Sequence, residues 1–127
     1  MVSNYSYLFI ALGGAIGACL RHFLTQESIK LLGKGFPFGT LAINVLGSFA
    51  LGCLYLWIEQ EQREISESMR LFIGVGLLGA LTTFSTFSHD TVMLMQNSDY
   101  IKALLNIFLN VSLSIVGVWL AVLLVKG

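Results

Sequence analysis

Charge is what this sequence has least of. Seven Lys and Arg stand against seven Asp and Glu in 127 residues, a charged fraction of 11%. Ordinary soluble domains carry about 25%. A soluble domain of this size has a large surface to cover, and so few charges cover it poorly. A soluble enzyme is therefore disfavoured. The formal net charge of zero provides no basic field to attract nucleic acid. The single proline argues against a linker-rich or low-complexity chain. Two cysteines, Cys19 and Cys53, form neither a CxxC pair nor a disulfide framework. They read as small, soft side chains in packed helices. His22 and His89 lack partners at metal-ligand spacing. Ser88, His89 and Asp90 are consecutive, so on a helix they point apart and form no triad. The sequence contains no nucleophile-base pair, and the reading is that of a non-enzyme.

What is there instead is apolar length. Hydrophobic residues make up 56% of the chain. A bilayer core of roughly 30 Å takes about 20 apolar residues as helix. Four stretches approach or meet that length: about 8–24, 38–58, 71–95 and 103–125. Short polar joints separate them, so residues 1–127 read as a single all-α, four-helix membrane domain. Met1 to Tyr7 carry no Lys or Arg, which sets the first span apart from a signal peptide. Thr25 to Lys34 are expected to form a short interfacial helix, with Ile29, Leu31 and Leu32 toward lipid. Small residues mark close helix packing: Gly13 with Gly17, Gly14 with Ala18, and Gly76 with Ala80.

Polar residues inside the spans are costly and face a partner or a cavity. In the second span Thr40, Asn44 and Ser48 share a helical face, continued by Gly52 and Tyr55. In the fourth, Asn106, Asn110, Ser114 and Gly117 do the same. Two such stripes can satisfy each other or line a narrow hydrated path. Asparagine has two donors and an acceptor, and in hydrocarbon all of them need partners. The third span holds glycines 74, 76 and 79 and then six hydroxyl residues between Thr82 and Thr91. These are mediocre or poor helix formers, so a break near Gly79 to Thr83 is expected. Unwound backbone at membrane depth is tolerated only when buried or lining a cavity, and transporters use such breaks to aim backbone groups at ions. Asp90 is expected to bond Thr86 at i−4. Arg21 is expected to snorkel to the interface or pair with an acid.

Phe84 and Phe87 are three apart, hence on one face. An aromatic ring has a positive edge. Aimed into a pore, such an edge stabilises a small anion without the trapping charge of Lys or Arg, as conduction requires. Thr40, Asn44, Ser85 and Thr86 would then supply donors. Packing of the two rings is the alternative.

At these residues the sequence resembles the CrcB/Fluc family of fluoride channels. The segments are Gly13-Gly14-Ala15-Ile16-Gly17-Ala18-Cys19-Leu20-Arg21, Phe36 to Asn44 with Gly47 and Ser48, and Gly79 to Ser88 with its TTFSTFS core. The resemblance spans essentially the whole chain. It departs at His22, Asp90, Asn106 and Asn110. It implies a fluoride-selective channel in a bacterial plasma or inner membrane that passively lowers cytoplasmic fluoride. It implies an antiparallel, dual-topology homodimer with two pores. Phe84 and Phe87 would line them by their edges, Asn44 would donate to the ion, and Ser85 and Thr86 would offer hydroxyls. It further implies a structural Na⁺ at the dimer centre, held by backbone carbonyls of Gly79 and Thr82 from both subunits.

Charge placement bears on topology. If all four spans cross, one side carries Arg63, Arg70 and Lys126, and the other Lys30, Lys34 and Lys102, plus Arg21 if it points outward. Cytoplasmic loops normally hold an excess of Lys and Arg. So even a split allows both orientations, as an inverted dimer requires. Two rival classes are a proton-coupled exchanger and a purely structural membrane subunit. The first needs an acid deep in the first helix, where this chain has none. The second leaves TTFSTFS and the asparagine stripes unexplained.

Overall fold

A computed structural model of the chain describes residues 4–61 and 65–126. The elements are α1 (Asn4–Leu32), α2 (Phe38–Glu61), α3 (Glu67–Arg70), a π-helical segment (Leu71–Leu78), α4 (Gly79–Leu81), α5 (Phe84–Gln96) and α6 (Tyr100–Lys126). Four stretches are long and apolar enough to cross a membrane: Tyr5–Leu32, Phe38–Glu59, Glu67–Gln96 and Tyr100–Lys126. The third comprises α3, the π segment, α4 and α5.

The expected interfacial helix at Thr25 to Lys34 is not separate. α1 runs straight through to Leu32. Its 29 residues make about 43 Å of helix, longer than the bilayer core. The extension is held because it packs on the start of α2. A Cβ added to Gly39 would lie 3.0 Å from the Thr25 Cα and 3.2 Å from the Ser28 Cβ. The helix stops at Gly33, whose φ of +81° is the left-handed cap that glycine adopts without steric cost. Its N–H reaches the Ile29 carbonyl at 2.8 Å. Pro37 then opens α2, accepting from the Leu41 N–H at 3.3 Å.

α1 packs against the π segment and α4, while α2 packs against α6, which also contacts α5. The first interface depends on missing side chains. A Cβ on Gly13 would collide with the Phe72 carbonyl oxygen, and one on Gly17 with that of Leu77. One on Gly76 would lie 2.7 Å from the Ile10 oxygen. Gly14, by contrast, faces open space. Backbones that close leave no room for the usual turn-by-turn side-chain ridges. π turns are rare and cluster at functional positions; here one lies where α1 and the third span meet backbone to backbone.

The third span does break, at Thr82 and Thr83. Both are extended, with φ/ψ of −82°/156° and −153°/128°. The break lies near the middle of the span, inside the expected window.

Candidate functional site

The break is made by α2 as much as by local sequence. Thr82 turns its hydroxyl back onto the Leu78 carbonyl at 3.2 Å, a bond that competes with continued helix. One residue on, Thr83 presents extended backbone to Asn44. Its N–H donates to Asn44 Oδ1 at 2.8 Å, and Asn44 Nδ2 donates to its carbonyl at 3.1 Å. Thr83 then caps α5, its hydroxyl accepting from the Thr86 N–H at 3.2 Å.

These diversions have a direct electrostatic result. The Thr83 N–H is the donor that would close the next helical turn onto Gly79. The Thr86 N–H is the one that would close onto Thr82. Both go to side chains instead, so the Gly79 and Thr82 carbonyls lose their helical donors. Arg21 turns inward and donates from Nε to the intervening Ala80 carbonyl at 3.2 Å. Among the described residues it makes no salt bridge with an acid; its Nε is drawn to a carbonyl-rich helix end, which attracts a cation.

Asn44 uses its second amide hydrogen on Asn110 Oδ1 of α6, at 2.9 Å. The two polar stripes therefore do meet, at this pair. Asn110 and Asn106 are buried, as is Thr40. The Thr40 hydroxyl donates to Asp90 Oδ2 at 3.0 Å. The bond expected between Asp90 and Thr86 is not formed; the donor at Asp90 comes instead from Thr40, across the α2–α5 contact.

Two cavities lie along α5, one at the break and one toward its far end. One, of about 280 Å³, is lined by six of the sequence-predicted pathway residues, Asn44, Ser48, Phe84, Phe87, Asn110 and Ser114, together with Thr82 and Thr83. The other, of about 210 Å³, is lined by Thr40, Thr86 and Asp90, with Lys34 at its edge. Ser85 lines neither; its hydroxyl lies 3.3 Å from Thr83 Oγ1 on an exposed face. Phe84 and Phe87 meet edge to face, centroids 5.4 Å apart and planes at 61°. Phe87 is buried at 7% exposure, while Phe84 is 77% exposed. Cys53 is half-buried and Cys19 is exposed, so only the former sits within the packed helices. No group of three or more His, Cys, Asp and Glu among the described residues could hold a metal ion.

The family model for CrcB-like protein, Camphor Resistance (CrcB), matches residues 8–122. A protein of Alteromonas mediterranea named fluoride-specific ion channel FluC is 55% identical over 122 residues, covering 95% of this chain and 94% of that one. The protein of that name from Vibrio vulnificus strain YJ016 is 52% identical over 127 residues, 99% and 100% of the two chains. That from Pseudoalteromonas translucida is 56% identical over 117 residues, 91% and 96% of the two. The relatives are channels by name, not enzymes. With four apolar spans and a match from the first to the last of them, this chain is a multi-pass membrane protein and belongs to the CrcB-like family.

Proposed function

We propose that the protein is a fluoride-selective channel that passively releases fluoride from the cytoplasm across a bacterial plasma membrane. The carrying observation is the cavity beside the break, where a paired amide, hydroxyls and two aromatic rings converge without a fixed charge. Such a site binds a small anion weakly enough to release it. Phe84 and Phe87 offer ring edges. Asn44, Ser48, Asn110 and Ser114 form its polar wall, Thr40 and Thr86 line the second cavity, and Ser85 stands at the break. Asn44 has both amide hydrogens engaged, so an anion reaching it takes one over from the Thr83 carbonyl.

The functional unit is an antiparallel homodimer. Gly79, Phe84 and Ser85 are exposed near the middle of the third span. Lipid cannot satisfy polar backbone and hydroxyls at that depth; a second copy can. With Arg21 turned inward, the flanking basic residues split three against three between the membrane sides, which favours both insertions equally. A structural Na⁺ fits the dimer centre. Gly79 and Thr82 would hold it through the carbonyls that lost their helical donors, and such oxygens suit a hard cation. When bound, the ion neutralises those acceptors.

Reconstitution tests the function. Purified protein in liposomes loaded with fluoride should discharge it rapidly and passively, monitored by a fluoride electrode, while chloride-loaded liposomes hold their content. No fluoride efflux would refute the channel, and proton-coupled uptake of organic cations would replace it with an exchanger.

A further inference from the structure

Asn106 is 0% exposed and Thr91 is 7% exposed, and neither lines the cavity that Asn44 and Phe87 share. They lie behind it. Yet they close a continuous chain of hydrogen bonds between those two residues. Asn44 Nδ2 donates to Asn110 Oδ1 at 2.9 Å. Asn110 Nδ2 donates to Asn106 Oδ1 at 2.9 Å. Asn106 Nδ2 donates to the Thr91 hydroxyl at 2.9 Å. That hydroxyl donates to the Phe87 carbonyl at 2.9 Å. Among the described residues no buried side-chain polar atom is left without a partner.

An asparagine amide can be turned end for end, which would reverse such a chain. Here backbone groups forbid it. The Thr83 N–H can only donate, and it faces Asn44 Oδ1. Asn44 must therefore offer Nδ2 to Asn110. The Asn106 backbone carbonyl can only accept, and it also faces Asn110 Nδ2, at 2.9 Å. Asn110 is thus fixed from both ends, Asn106 follows, and Thr91 has only its proton left to give. The four bonds of the relay all run in one direction, from Asn44 toward Phe87.

We infer that Asn106 and Thr91 are positioning residues of the conduction path, resting on the fluoride-channel reading above. Their relay holds the Asn44 amide and the backbone of Phe87 in one fixed relation across three helices. In a low-dielectric interior such a chain is strengthened bond by bond, and a single missing link leaves a buried polar group unpaired. Loss of a link leaves Asn44 held by Thr83 alone, slackens its amide on the Asn110 side, and removes the hydroxyl contact at the Phe87 carbonyl. The anion then meets its amide donor and its ring edge out of register.

The experiment is fluoride efflux per folded channel for Thr91→Val, Thr91→Ala and Thr91→Ser, over a fluoride concentration series, with folding checked by size exclusion. Thr91→Val keeps the shape and removes the proton; it should fold and conduct about tenfold less. Thr91→Ala should do the same should Val prove too crowded. Thr91→Ser keeps the proton and should restore wild-type flux. The half-saturating fluoride concentration should shift in Val and Ala alone, which a merely structural residue would not cause. Wild-type flux per folded channel in Thr91→Val or Thr91→Ala would overturn the inference. So would an equal loss in Thr91→Ser, or failure of both Val and Ala to fold while Ser conducts normally, since the hydroxyl would then serve the fold alone. A wild-type protein that releases no fluoride rejects the channel reading itself. A conducting wild type with unaltered variants rejects only the relay.

Discussion

Asn44 and Thr83 pair as two strands would. The N–H of one donates to the amide oxygen of the other at 2.8 Å, and the amide nitrogen returns to the carbonyl at 3.1 Å. A side chain from α2 thereby replaces a missing helical turn in the third span. Asn44→Ala leaves both Thr83 groups unpaired, at about 1–3 kcal/mol each. It should lower thermal stability in detergent and abolish fluoride efflux. Asn44→Asp should be worse, because a carboxylate would face two acceptors, Thr83 O and Asn110 Oδ1. Melting the two variants side by side checks the order.

Gly17 and Gly14 give opposite expectations on one helix. Gly17→Ala drives a methyl into the Leu77 carbonyl, and overpacking of this kind costs about 1–3 kcal/mol. Gly14→Ala meets nothing within 4 Å and gains about 1 kcal/mol of helix propensity. Residual folded protein after heating, read by size exclusion, should fall for the first and hold or rise for the second.

Phe84 and Phe87 should separate stability from conduction. Phe84 is 77% exposed in the protomer and Phe87 only 7%. Phe84→Ile should cut fluoride throughput and leave the protomer's fold intact. Phe87→Ile should cut throughput and also lower the melting temperature. Unaltered flux in both would count against the ring-edge account.

Sodium removal probes the carbonyls of Gly79 and Thr82. Exchanging Na⁺ for a bulky organic cation in the purification buffer should weaken the dimer and lower its melting temperature. Restored Na⁺ should reverse the loss. Identical melting in the two buffers would argue against a structural ion at these oxygens.

The membrane spans were readable because apolar length is a composition property, and the break was readable because glycines and clustered hydroxyls are poor helix material. The end of α1 was not. Polar Thr25 to Lys34 look like a new segment, yet the stop is set by Gly33 and by packing on Gly39. The π segment was hidden for a similar reason, since Gly74 and Gly76 take their meaning from Tyr55 and Ile10, far away in the chain. Within the site, the asparagine stripes announced a polar seam but not its wiring. Asn44 finds Thr83, and Thr40 finds Asp90, only across the bundle. Arg21 was ambiguous because its partner is a backbone carbonyl, which has no sequence signature.

The glycine face of α1 has a consequence for how the chain is made. Gly13 and Gly17 are shaped to receive the backbone at Phe72 and Leu77, not that of the neighbouring α2. On the ribosome, α1 and α2 therefore enter the bilayer before the surface they need exists. Until the third span emerges, α1 carries an unfilled notch against lipid.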